Sequence, residues 1–144
     1  ILALVEGETV QFDRPEALWR QPAHRFVAET IAGLQTLRGR VAGDYIATAF
    51  GKLPTDRVRG AAALTNGQTV TLGVRGSSVS ISAEVTESAT RAAVEDIRFD
   101  GMHWTALVKH EDQQLRFVLD HKSQVQPGGV IALSFTDADA VLYS

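Results

Sequence analysis

The chain of 144 residues contains no cysteine. That excludes a disulfide framework, a thiolate metal site and a cysteine nucleophile, and it fits a reducing compartment. Neither sign of charge dominates: 14 basic and 17 acidic residues leave a net charge of −3, which offers no electrostatic footing for nucleic acid or an anionic membrane. The imbalance along the chain is mild, with 8 Lys and Arg against 7 Asp and Glu in residues 1–59, and 6 against 10 in residues 60–144. No apolar run approaches the ~18 residues of a membrane span. The first five residues are too short and unflanked for a secretion signal. Missing too are a phosphate-cradling G-x-x-x-x-G-K-[ST] loop and a G-x-S-x-G nucleophile elbow. With no initiating Met, and a strand-like run at its start, the chain reads as a cut fragment of a longer protein.

What is present divides into two unlike parts. Ile1 to Val5 is a continuous apolar run, as in a strand buried on both faces. Thr9 to Phe12 returns after Glu6-Gly7-Glu8, with Gly7 suited to the positive φ of a tight hairpin. Asp13 is placed to cap a helical turn opened by Pro15 and Glu16, and Pro22 breaks that turn. Ala23 to Ala32 has helical spacing, with Phe26, Val27 and Ile31 inward and Arg25 and Glu29 outward, and Gly33 as its stop.

From Thr36 the period falls to two. Strands are expected at Leu37–Gly43, Tyr45–Phe50, Thr69–Val74, Ser78–Ser82, Arg91–Phe99, Met102–Lys109, Gln114–Leu119, Val130–Phe135 and Ala140–Tyr143. Turns fall at Gly51–Pro54, Thr65–Gln68, Asp100-Gly101 and Val125–Gly129, and a polar loop at Glu84–Thr90. Short strands punctuated this way make a mainly β chain, a small barrel or sandwich.

Candidate chemistry is sparse. His103, His110 and His121 lie near Glu111, Asp112 and Asp120, but the spacing fixes no metal geometry. Ser77, Ser78, Ser80 and Ser82 suit the polar face of a strand. Trp19 and Trp104 suit either ligand stacking or packing. Arg38, Arg40, Lys52, Arg57 and Arg59 suit a solvated face better than a single-strand-binding groove, since only Tyr45 and Phe50 interleave with them. Arg75, Ser77 and Ser78 are the cluster on which a small-ligand or oxyanion sensor would rest.

One resemblance covers nearly the whole chain. Gly7, Gln11, Pro15, Glu16, Leu18, Trp19, Pro22, Phe26, Val27, Ala28, Ile31 and Gly33 follow the pattern that closes the nucleotide-binding domain of ABC importer ATP-binding subunits. Leu37, Gly39 and Val41 match the family's next motif without its Asn, and Phe99-Asp100-Gly101 is similar to its F-x-G hairpin. Gly128 to Phe135 and Ala140 to Tyr143 are similar to its closing strands. Val74-Arg75-Gly76-Ser77 keeps half of its V-R-P-E motif, and Phe50-Gly51-Lys52-Leu53-Pro54 resembles a stretch of ferric-iron importers. Sugar, polyamine, sulfate and phosphonate importers stay open.

The resemblance implies residues 1–33 as the end of a nucleotide-binding domain and residues 34–144 as a transport-associated OB-like (TOBE) regulatory domain. The parent would hydrolyse ATP with Mg on the cytoplasmic face of the inner membrane, as a peripheral partner of permease subunits. The fragment would hold no cofactor or metal and be inactive, since the ATP-site motifs lie upstream of Ile1 in such proteins. It would pair with a second copy through its C-terminal domain and bind no nucleic acid. Cut from its sheet, the first segment is expected to be disordered, repacked on the barrel or paired with another copy.

Overall fold

A computed structural model describes residues 1–82, 90–119, 125–135 and 140–143. The chain opens with an antiparallel hairpin of β1 (Leu2–Val5) and β2 (Glu8–Phe12). Its two-residue loop holds Glu6 at φ 52° and Gly7 at φ 85°. Two positive φ values give the mirror-image turn whose twist matches a hairpin. Helix α1 (Pro15–Arg20) and helix α2 (Arg25–Thr30) follow. Gln11 spans the break around the buried Pro22, donating to the Gln21 carbonyl at 3.1 Å and accepting from the Ala23 N–H at 2.8 Å.

Three expectations for this segment are corrected. Ile1 to Val5 is not buried on both faces: the helices pack on one face of the two-stranded sheet and the other is open. Ala3 turns inward against Leu18 and Val27, while Ile1, Leu2 and Leu4 remain half exposed. Asp13 does not cap α1. Arg14 occupies that position, and the Asp13 carboxylate accepts from the Arg14 N–H at 2.8 Å. Phe26 points outward, because α2, which begins two residues later than its spacing suggests, turns Val27 and Ala28 inward instead. Val27 faces the hairpin cluster, and Ala28 faces the β body together with Ala32 and Leu34. The segment is therefore ordered and packed on the barrel.

The β body contains β3 (Gln35–Ala42), β4 (Tyr45–Thr48), β5 (Gly51–Pro54), β6 (Val58–Arg59), β7 (Thr69–Val74) and β8 (Val79–Ser82). It continues with β9 (Thr90–Phe99), β10 (Trp104–His110), β11 (Gln113–Leu119), β12 (Val130–Phe135) and β13 (Ala140–Tyr143). One curled sheet has the order β5-β4-β3-β7-β13-β6 and the other β11-β10-β9-β12-β8. They close on one apolar core that includes the fully buried Leu37 and Leu72 of the first sheet, Phe50 of its β4–β5 turn, and Leu115, Phe117 and Leu133 of the second. The architecture is mainly β and OB-like.

Alternation explains the strands. In β3, Leu37, Gly39 and Val41 are buried and Arg38 and Arg40 exposed. Gly39 has to be small, since a Cβ there would meet Ile46 at 2.5 Å. Gly51–Pro54 is a strand rather than a turn. The chain reverses one step earlier, where the Thr48 hydroxyl accepts from the Phe50 N–H at 3.2 Å and donates to the Gly51 carbonyl at 2.7 Å. β5 is a sheet edge, where Pro54 forfeits no ladder bond. The expected loop at residues 84–90 lies outside the described residues except for Thr90, which opens β9.

The two sheets are also stapled outside the core. The Gln35 side-chain amide accepts from the Arg116 N–H at 2.6 Å and donates to the Arg116 carbonyl. A side chain of β3 thus makes, on the β11 edge, the pair of bonds a neighbouring strand would make.

Candidate functional site

The first segment meets the barrel at a seam built around Arg75, the residue that follows β7. Its side chain is buried, at 9% exposure. The guanidinium donates to the Ala32 carbonyl at 3.0 Å and to the Trp19 carbonyl, and lies 3.7 Å from the centre of the Trp19 ring. These carbonyls belong to the last turn of α1 and to the residues just past α2. Helix ends leave carbonyls without partners and carry partial negative charge, so a fixed cation there satisfies both. Arg59 does similar work, donating to the Arg20 carbonyl at 2.6 Å.

Glu29 completes the seam from the other side. It accepts from the Thr36 hydroxyl and pairs with Arg25 at 2.7 Å. The Thr36 bond, then the Arg25 bond, hold its carboxyl below the usual carboxylate range. Tyr143 of β13 packs against the helix-derived cluster. Its ring fills the space over Gly73, where a Cβ would stand 2.2 Å from the hydroxyl oxygen. That hydroxyl is buried without a hydrogen-bond partner among the described residues. Burial first, then the Glu29 carboxylate, push its pKa up to about 12.

Beside this junction lies a recess of about 540 Å³. Trp19, Ala32 and Gly33 form one wall, Gln35 and Arg75 to Ser77 the floor, and Thr105, Arg116, Phe117 and Val118 the other wall. Gly76 permits the close approach of floor and wall, since a Cβ there would stand 2.6 Å from the Arg116 carbonyl oxygen.

The sequence-derived candidates fall unevenly on this geometry. Arg75 and Ser77 line the recess, while Ser78 is buried in a 3₁₀ turn, its N–H bonded to the Arg75 carbonyl at 3.0 Å. Trp19 lies on the wall. Trp104 opens β10 and does not line the recess, its ring centre 5.1 Å from that of Phe99, where Gly101 turns the hairpin at φ 99°. Gln11, Pro15, Pro22 and Gly33 shape the helical segment, Gly33 with φ 63° after α2.

The basic residues disperse. Arg38 pairs with Asp112, Arg40 donates to the Gly67 carbonyl at 3.2 Å, and Lys52 sits 4.7 Å from the Tyr45 ring centre. Among the described residues no three His, Asp or Glu side chains gather as a metal site, and Asp120 and His121 lie outside them. Sequence reasoning missed Gln35, Thr105 and Arg116. Each is an outer-face strand residue whose role depends on its cross-sheet neighbour, and nothing local distinguishes it.

Residues 72–142 match the TOBE domain family. Over 127 residues the chain is 28% identical to the Fe(3+) ions import ATP-binding protein FbpC of Photorhabdus laumondii subsp. laumondii. The alignment takes in 88% of this chain and 34% of that protein, so the chain spans about a third of the relative's length. No helix among the described residues is long and apolar enough to cross a membrane.

Proposed function

Because the chain carries the TOBE region of an ABC importer ATP-binding subunit, we propose that it is the C-terminal regulatory and dimerisation module of such a subunit. On this reading residues 1–33 are the closing elements of the nucleotide-binding domain and residues 34–144 the regulatory domain. The parent binds ATP and Mg, hydrolyses ATP at the cytoplasmic face of the inner membrane and drives uptake through permease subunits. The relative's name makes ferric iron the first candidate solute. On this reading the P-loop, missing from these 144 residues, belongs to the preceding part of the parent.

The observation that supports this best is the state of β1. Ile1, Leu2 and Leu4 are 52%, 52% and 50% exposed, an apolar strand with one partner only. Such a strand suits the interior of a larger sheet. Arg75 then fixes the end of that sheet's domain to the barrel, so a movement of one part is passed to the other.

Three measurements test the reading. The coding sequence ahead of Ile1 should contain a P-loop and a signature motif, and its lack would overturn the subunit assignment. Sedimentation equilibrium of the 144-residue chain should give a concentration-dependent monomer–dimer equilibrium; a strict monomer at high concentration would rule out dimerisation. Deleting the parent gene should abolish uptake of labelled ferric iron, and unchanged uptake would remove iron as the solute.

A further inference from the structure

The seam recess holds charge that the docking of the helices does not use. Among the described residues, two arginines and no carboxylate line it. Arg75 is committed to the helix-end carbonyls and to Trp19, and stays as a fixed positive charge under that ring. Arg116 differs. Its backbone is held by Gln35, yet its guanidinium forms no ion pair or hydrogen bond among the described residues. By strand alternation it stands on the outer face of β11 with Val118, opposite the buried Phe117.

Thr105 lies across from Val118 in the β10–β11 ladder and Leu107 across from Arg116, which brings the Thr105 hydroxyl, held only by a long 3.4 Å bond to the Arg98 carbonyl, to the same wall. Ser77 is exposed at the floor. Trp19 is 49% exposed with Arg75 against one face, and much of the remaining lining is apolar. An unpaired cation, two hydroxyls and an aromatic ring around a recess of this volume are the components of a small-ligand site. Two arginines and no carboxylate among the described lining residues set the sign of the ligand's charge.

We propose that the recess binds a small organic anion. An oxyanion group, carboxylate or phosphate ester, takes charge-assisted hydrogen bonds from Arg116 with help from the hydroxyls of Ser77 and Thr105. A planar or apolar body lies along Trp19 and Val118. The ligand bridges the helical segment and the barrel, so its binding favours the docked arrangement of the two. The site goes beyond the dimerisation role and stands on the seam whether or not the chain self-associates.

The test uses the 144-residue chain with Trp104→Phe, which leaves Trp19 as the only tryptophan. Benzoate and phenyl phosphate separate the two anion sources, inorganic phosphate tests the charge alone, and benzyl alcohol tests the apolar body alone. A saturable change in Trp19 emission is expected with benzoate or phenyl phosphate, at lower concentration than with inorganic phosphate, and none with benzyl alcohol. Arg116→Gln should weaken binding by about tenfold, as expected for loss of one charge-assisted contact, with an unchanged unfolding midpoint. Arg116→Lys should restore part of it. Calorimetric titration of the unmodified chain gives the same readout if Trp104→Phe perturbs folding. No saturable response to either organic anion, an equal response to benzyl alcohol, or indifference to Arg116→Gln would each overturn the site. Sedimentation reads the association state independently, so either result stands without the other.

Discussion

Arg75 brings one charge into a seam where two helix ends leave carbonyls facing inward. Truncating it strands both carbonyls and uncovers one face of Trp19. Arg75→Ala should therefore cost about 3 kcal/mol in chemical denaturation, since hydrogen bonds to charged groups are worth more than neutral ones and burial amplifies their loss. The same variant should shift Trp19 emission towards the solvent-exposed value. Tyr143 presents the opposite case, a buried hydroxyl with no partner among the described residues. Tyr143→Phe should be neutral or stabilising by about 1 kcal/mol, because it removes an unmet desolvation cost. Its pKa also rises from 10.0 to about 12 on folding. A pKa raised in the folded state stabilises fully below the unfolded value, and that contribution is lost as pH climbs through the folded one. Wild-type stability should therefore fall between pH 10 and 12, a loss that Tyr143→Phe diminishes in pH-dependent unfolding. Arg75 stands out in the sequence through a family motif, but its role as a clamp does not, because Trp19 and Ala32 meet it only after the chain has folded back over dozens of residues.

The elements were legible where period and punctuation agreed. β7, β12 and β13 fall where alternation places them, and the β9–β10 hairpin turns at Asp100-Gly101. β5 was hidden because Gly51 and Pro54 carry turn chemistry, and the Phe50 and Leu53 burial that holds the strand there is a tertiary effect. β6 is two residues long and is defined by its parallel pairing with β13, which no local pattern announces. The recess was least legible, since Arg116 and Thr105 look in sequence like any polar outer face. The 3₁₀ turn Gly76–Ser78 shows how tightly elements fit at that point. Gly76→Ala would push a methyl group to 2.6 Å from the Arg116 carbonyl oxygen, which belongs to backbone and cannot swing away. The turn or β11 has to shift, and a loss of about 2 kcal/mol in thermal unfolding is expected, as for an overpacked core.

At the scale of the whole molecule, three apolar clusters form a chain of contact from the hairpin through the helices to the barrel. The middle cluster, Ala28, Ala32 and Leu34 against Val141 and Tyr143, joins residues early in the sequence to its last described strand. The hairpin and the barrel should consequently unfold in one transition. Hydrogen exchange should show matching protection in β1, β7 and β13, and early loss of protection confined to the hairpin would count against this coupling.

The Gln35 amide has a further effect on how copies of the molecule meet. β11 ends its sheet, and an open strand end is a template on which foreign strands extend a ladder into aggregates. By occupying the Arg116 N–H and carbonyl, a single glutamine works as a molecular stopper against that growth. Gln35→Leu keeps the bulk and removes the stopper. The variant should stay folded when dilute but scatter light and bind amyloid-sensing dyes sooner than wild type when concentrated and warmed. Equal lag times for the two proteins would mean that the edge is guarded elsewhere.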